Sequence, residues 1–457
     1  MFGQPTNPRI RAALAGTLSA GLIFGIAACG GSDDSDDAAG TDASASAIDC
    51  APYTKFGDIK GKTVSIYTGI VTPEDKPHID SYKPFETCTG ATIKYEGDKS
   101  FETQILVRAR AGNPPDLAIV PQPGLVKQLV TTGKAVPAPE EVGANVDKFW
   151  DKAWKGYTTI DGKFYGAPLG ASVKSLVWYS PSEFKDSGYT VPTTLAELQT
   201  LTDKMVTDGK KPWCAGIASG DATGWPITDW MEDFMLRTAG PEKYDDWVNH
   251  KIPFNGPEAT TALDAVGGYL KNDKYVNGGL GDVKSIATTT FQDAGLPIVD
   301  GNTCSLHRQA SFYAANFVKG TKVAEDGDVF AFYLPGPDAN TKPVLGAGEF
   351  VVAFADRPEV KSFQTYLSSD TWANTKAKLS SGWVTANKGL DPNNLTNPID
   401  KLAGTILLDP KATFRFDGSD QMPAAVGSDA FWKQSTAWIT GQDTATTLNN
   451  IEKAWPK

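Results

Sequence analysis

The sequence predicts an α/β fold built on mostly parallel sheets flanked by helices. Two observations carry this reading. Between residues 62 and 120, β-rich and helical stretches alternate as β-α-β-α-β, an order that sets strands parallel with helices on both faces. A similar mix of elements follows from residue 159. The length, 457 residues, suits two or three domain-sized units, or two lobes.

The elements follow in order. Lys62 to Thr68 alternates and is β-rich, so it reads as a strand ending at Gly69. Glu74 to Thr87 reads as a helix with Ile79, Tyr82 and Phe85 on one face; Pro77 suits its first turn and Pro84 an early end. Ala91 to Tyr95 is a second strand. Ser100 caps a helix that runs to Ala111. The Gly112-Asn-Pro-Pro-Asp116 break follows, with Asp116 capping the turn, and Leu117 to Val120 is an apolar strand. Thr159 to Gly166 is a hairpin with an Asp-Gly turn. Ser175 to Tyr179 is a strand, and Pro192 opens a helix to Thr207, capped by Thr193 or Thr194 with Glu197 behind it. Trp213 to Ala218 is another strand. From about residue 228 the chain reads as mainly helical, with loops at Gly278-Gly279 and 335–337 and helices over 358–367 and 428–439. No internal repeat and no dinucleotide or P-loop glycine signature occurs, so no cofactor is expected.

The amino terminus carries an address. Arg9 and Arg11 precede an apolar run from Ala12 to Ala28, the pattern of a secretory signal segment. Cys29, directly after Ala27-Ala28, resembles the lipobox of bacterial lipoproteins. That resemblance implies cleavage after residue 28 and lipidation of Cys29, which would anchor the protein to the membrane outside the cytoplasm. Residues 30–47, GGSDDSDDAAGTDASASA, hold no large apolar side chain; Asp33, Asp34, Asp36 and Asp37 repel one another along a flexible stretch. Residues 29–57 are therefore expected to be a lipidated cysteine and acidic tether. No other run of roughly 18 apolar residues occurs, so nothing else is expected to span a bilayer. The net charge of −11 argues against nucleic-acid binding, which needs basic surface. The three histidines are scattered and no CxxC is present, so no metal site is expected.

Ala111-Gly-Asn-Pro-Pro-Asp-Leu-Ala-Ile-Val120 resembles the G-x-x-PDL segment of extracellular solute-binding proteins of carbohydrate ABC importers. Asp161 to Pro168, the strand ending Trp178-Tyr179, and Gly188 to Leu195 are similar to further hallmarks of that family. Pro212 to Ile217, Gly224 to Trp230 and Gly240 to Trp247 resemble its α-glucoside-binding branch. The resemblance spans roughly residues 60 to 450. It implies a two-lobed fold of the periplasmic-binding-protein type II kind, with hinge crossovers between the lobes. Lobe 1 is expected at 58–160 plus 311–356, and lobe 2 at 161–310 plus 357–457. The expected function is a monomeric, lipid-anchored substrate-binding protein, not an enzyme. It would capture an α-glucoside, such as maltose, trehalose, sucrose or a longer α-glucan, and deliver this oligosaccharide to the transmembrane subunits of an ABC permease. A lipid-anchored glycoside hydrolase, or a receptor for another solute such as a glycerophosphodiester, stands as the alternative.

Besides Cys29 there are four cysteines, and an oxidising compartment suggests two disulfides. Cys50–Cys88 and Cys214–Cys304 are expected, because each pair then falls within one lobe.

A sugar pocket needs flat aromatic faces and a few fixed polar partners. In open α/β sheets it lies beyond the carboxyl ends of strands, which points to Tyr67 after the first strand and Gln122 after the third. Glu74 and Asp75, in the first turn of the first helix, and Asp98, in the loop after the second strand, are placed either to meet hydroxyls or to face solvent. Trp225-Pro-Ile-Thr-Asp229-Trp230 offers two indoles flanking a carboxylate, for stacking and hydrogen bonding; the competing reading is core. Arg308 would donate to sugar hydroxyls or form a bidentate pair with Asp229, unless it is a surface ion pair. Tyr313, Glu349, Phe350 and Trp383 complete the candidates; the resemblance implies that the glycine-rich segment before Glu349 lines the cleft.

Overall fold

The computed structural model describes residues 48–456 apart from 73, 302 and 381. Cys29, the signal segment and most of the acidic tether lie outside the described residues. The strands are β1 (Thr63–Thr68), β2 (Thr92–Gly97), β3 (Leu117–Val120), β4 (Thr159–Ile160), β5 (Lys163–Phe164), β6 (Gly166–Val173), β7 (Leu176–Tyr179), β8 (Trp213–Cys214), β9 (Val276–Asn277), β10 (Leu306–Arg308), β11 (Phe330–Tyr333), β12 (Lys342–Ala353) and β13 (Ala412–Phe416).

Two sheets form the architecture. The first has the order β13-β12-β3-β1-β2, with β6 also paired to β12. Its β1/β2, β1/β3 and β12/β13 pairs are parallel, and β12 runs antiparallel to β3 and β6. The second has the order β11-β7-β10-β8-β9, parallel at β10/β8 and β8/β9 and antiparallel at β7. Both sheets are thus mixed, because long excursions bring single strands back reversed. β4 and β5 form the expected hairpin, with Asp161 and Gly162 at positive φ in its turn.

Local choices follow from the residues. β3 is buried on both faces and reads as a continuous apolar run. The Asp116 carboxylate does not cap the Pro-Pro turn: it accepts from the Ser65 amide of β1 at 2.9 Å and from Arg357 at 2.9 Å, tying the entry of β3 to its neighbour. The single helix expected over 74–87 is two, Asp75–Ser81 and Lys83–Thr89. Pro84 opens the second and Gly90, in the left-handed region, closes it. Helix Leu195–Thr207 starts on Thr194, whose hydroxyl accepts from the Glu197 amide, while Glu197 reaches back to the Thr193 amide.

The chain crosses between the sheets three times. It leaves the first sheet at Lys174-Ser175, between β6 and β7. It returns between β11 and β12, through residues 334–341. It leaves again after β13, at Asp417, towards helix Phe431–Ile439, which packs with helix Thr444–Glu452 and helix Trp225–Thr238. Helix Pro358–Leu367 packs on β1 and β12, and helix Pro398–Leu408 on β13 and β6. Cys50 is bonded to Cys88 and Cys214 to Cys304, the expected pairing.

Candidate functional site

All three crossings meet one helix, Trp225–Thr238. Its inner face is charged and fully buried, a pattern that costs several kcal/mol per ion unless every charge is paired. The pairing is extensive. At the first crossing, the Lys174 ammonium binds Asp229 Oδ1 at 2.9 Å and Asp417 Oδ2 of the third crossing. The Ser175 hydroxyl donates to Asp233 and accepts from the Leu345 amide of β12 at 2.8 Å. At the second crossing, Arg237 donates to the carbonyls of Leu334, Pro335 and Pro343 and pairs with Asp233 at 2.6 Å. At the third, Glu232 accepts from the amides of Gly418 and Ser419.

Burial sets the protonation of this cluster. It pushes the Asp229 carboxyl up to about 6 despite Lys174 and Arg308. It also raises Asp420 and Glu232 far above the usual carboxylate range, helped by the charge of Asp417. Asp417 goes the other way: burial opposes its charge, but the Lys174 ammonium and bonds from Ser419 and the Asp420 amide hold it low. Of these carboxyl groups, Asp417 is therefore the one that keeps its charge most readily.

Beside this cluster lies the carboxyl edge of the first sheet, where β1, β2 and β3 end; β13 runs antiparallel to them and stops near it. Gln122 begins helix Pro123–Thr131 there and bonds Glu102, whose carboxyl burial raises. The Asp420 carbonyl accepts from the Gly124 amide at 3.1 Å, bringing the third crossing to that point. Glu349 stands one residue before the Phe350–Val120 register of β12 and β3. Its Oε1 accepts from the half-buried Trp383 indole at 3.3 Å. Gly170 of β6 makes this possible, because a Cβ there would lie 2.7 Å from the indole nitrogen and 2.9 Å from the carboxylate. Opposite, Trp225 is half-buried at the start of its helix, edge-on to Phe291 with ring centres 5.0 Å apart. Phe312 lies 6.3 Å from it and is 39% exposed, and the Lys174 ammonium sits 5.6 Å from the indole.

The expected residues divide accordingly. Trp225, Gln122, Glu349 and Trp383 are partly accessible at or beside this edge. Asp229 and Arg308 belong to the buried network. Arg308 makes its two-pronged contact with Asp233, not with Asp229, which it meets once at 3.3 Å. Tyr67 and Asp98 bond each other at 2.9 Å, and Arg108 lies 4.0 Å over the tyrosine ring, so they brace the strand ends. Glu74 is exposed just before helix Asp75–Ser81. Three candidates are core. Trp230, 5% exposed, packs on Trp213, Phe234 and Tyr269. Phe350 sits among Trp154, Tyr157 and Phe416. The buried Tyr313 hydroxyl bridges Gly295 and Gln292.

The sequence reading passed over Lys174, Asp417, Asp420, Phe291, Phe312 and Lys376. A signal existed for the first: Lys174 is the one charged residue in the run 164–182. Among the described residues no group of three or more His, Cys, Asp or Glu side chains is arranged to hold a metal ion. No helix there is long and apolar enough to cross a membrane.

Comparison with known proteins supplies the relationship. Residues 65–374 match the model of the bacterial extracellular solute-binding protein family. The chain is 39% identical over 420 residues to the alpha-glucosides-binding periplasmic protein AglE of Rhizobium meliloti, covering 88% of this chain and 89% of that one. It is 39% identical over 409 residues to the osmoprotective compounds-binding protein GgtB of Synechocystis, covering 88% and 94%. The crystal structure of the solute receptor AcbH, with its preference for β-D-galactopyranose, superimposes with a TM-score of 0.70 at 18% identity, over 87% of this chain and 98% of that chain, and shares its fold. This two-sheet chain, with its three crossings gathered on one buried helix, belongs to the bacterial extracellular solute-binding proteins.

Proposed function

We propose that this protein is the substrate-binding component of an ABC importer and captures an α-glucoside between two lobes. The observation that carries the reading is a pair of accessible indoles beside charged groups: Trp383 on the Glu349 carboxyl and Trp225 near the Lys174 ammonium. Indole faces suit the C–H faces of a pyranose, and carboxyl groups suit its hydroxyls. The lobes follow the sheets: 58–173 with 342–416, and 176–333 with 418–457. This proposed division differs from the one expected at residues 160, 310 and 356. The solute would favour the closed form through contacts made only when both lobes reach it, and the closed form would dock on the permease.

The kinship to AglE favours α-glucosides; the equal kinship to GgtB favours a small osmoprotective solute as a second reading. Binding is favoured over hydrolysis because Asp229, a candidate for a hydrolytic carboxylate pair, has Oδ1 on Lys174 and Oδ2 on Arg308. A phosphodiester is disfavoured because Arg308 is buried and already paired with Asp229 and Asp233. The test is titration calorimetry with maltose, trehalose, sucrose and maltotriose, alongside small-angle scattering. Binding with compaction is expected for at least one sugar. Glucose release from maltose, or neither heat nor compaction with any of the four, would overturn the proposal.

A further inference from the structure

Lys376 is 2% exposed in helix Asp370–Leu379, which packs on helix Asp75–Ser81. Its ammonium carries three donors, and Ser380 Oγ, at 2.7 Å, takes one. The Trp383 ring lies 5.6 Å away. The facing carboxylate is Glu349 on β12, coupled electrostatically to Lys376, yet the two bond elsewhere: Glu349 Oε1 to the Trp383 indole, Lys376 to Ser380. A buried ammonium with unused donors is costly. A structural ion pair would remove that cost by closing on its partner. Here donor and acceptor bond elsewhere, and each meets the same Trp383 indole, which packs closely over Gly170.

We propose that Lys376 and Glu349 form a donor–acceptor pair that reads two neighbouring hydroxyls of a pyranose ring, making Lys376 a specificity-determining residue. One hydroxyl donates to Glu349, and the oxygen of the next accepts from the Lys376 ammonium. The ring's apolar face meets Trp383. This rests on the reading of the carboxyl edge as the solute site. Other titratable groups face the pair. Glu74 lies just before helix Asp75–Ser81, and its charge acts on both members. His78, buried on that helix, is pushed well below its ordinary pKa by burial and by Lys376, so it stays neutral. The hydroxyls of Tyr82 and Tyr95, raised by burial, lie within the electrostatic reach of Glu349. Burial pushes the Lys376 ammonium down to about 8, so it loses its proton in an accessible range, and the pair then loses its donor charge.

The experiment is calorimetry of wild type, Lys376→Met and Trp225→Ala with maltose and trehalose at pH 7, followed by wild type from pH 7 to 9.5. Lys376→Met is expected to bind about tenfold or more weakly, with unchanged near-ultraviolet circular dichroism. Wild-type affinity is expected to fall as pH rises through about 8, and that fall is expected to be missing in Lys376→Met. If Lys376→Met binds within twofold of wild type while Trp225→Ala does not bind, the site stands and the role of Lys376 is refuted. A flat wild-type profile refutes it too, even if Lys376→Met fails to fold. No heat from wild type with either sugar removes the site reading and this inference together.

Discussion

Lys174→Met isolates the charge that joins the first and third crossings. Methionine keeps the length and apolar body of the side chain, so the loss is electrostatic. The ammonium contacts Asp229 and Asp417, both almost fully buried. Removing one partner of a buried pair typically costs about 3–5 kcal/mol, because the other charge is left uncompensated. Two carboxylates lose their partner here, but Asp229 keeps Arg308 and Asp417 keeps Ser419, which places the loss near the middle, at about 4 kcal/mol. A folded region of about 410 residues unfolds with an entropy near 0.9 kcal/mol/K, so the melting temperature should fall by about 4–5 °C at pH 7. The pH sign follows from Asp229, whose folded pKa is raised to about 6 by burial. A raised carboxyl pKa means the fold takes up a proton, and gains stability relative to pH 7, as pH falls through 6 towards the unfolded value near 4. Once Asp229 is neutral, Lys174 has one fewer charge to compensate. Differential scanning calorimetry of wild type and Lys174→Met at pH 7 and pH 5 should therefore show a gap that narrows on acidification. A gap below 1 °C at pH 7, or one that widens at pH 5, would refute the reasoning.

Other expectations follow from the same geometry. Trp225→Ala should abolish sugar binding with little change in melting temperature, whereas Trp230→Ala should cost about 3–5 kcal/mol of stability, because it empties a core position against Trp213; calorimetry and thermal melts separate the two. Replacing Cys214 and Cys304 by serine opens a crosslink spanning 90 residues, worth about 4–5 kcal/mol in the chain-entropy model. A melting temperature within 1 °C of wild type would contradict that figure. Cys29→Ala should release into the medium a protein that still binds sugar, scored by fractionation; retention in the membrane would exclude Cys29 as the anchor.

The first sheet's opening was legible because β1, β2 and β3 are short β-rich or apolar runs bounded by glycine or proline; helix Phe101–Arg110 begins after Ser100 as expected, but the Ser100 side chain makes no capping hydrogen bond. The region after residue 228 was less legible. β12 is the longest strand among the described residues, yet its central Gly346-Ala-Gly348 stretch has low β-propensity, and its pairing partners lie far away in sequence. β9 is two residues long, too short for any period to register, and before that region the strand expected over 213–218 shrinks to Trp213–Cys214. Site aromatics divided on tertiary context. Trp225 and Trp230 share one motif, but five positions along a helix turn the second into the core and leave the first at the helix mouth. The buried charges Asp229, Asp233 and Arg237 recur every four residues on one face, which sequence reading alone takes for a solvated stripe; only Lys174 and Arg308, arriving from other strands, reveal the face as interior.

The third crossing bears on how the chain reaches its final state. β13 is added to the first sheet from residues 412–416, and helix Trp225–Thr238 is covered by Phe431–Ile439, which Thr444–Glu452 covers in turn. Neither sheet with its helices is therefore drawn from one contiguous stretch, and neither can be completed until nearly the whole chain has been delivered. A protein threaded through a secretion pore from its amino end would remain unfinished until its last turn emerged. If the chain is exported in this way, the architecture itself would delay folding until its last turn emerged.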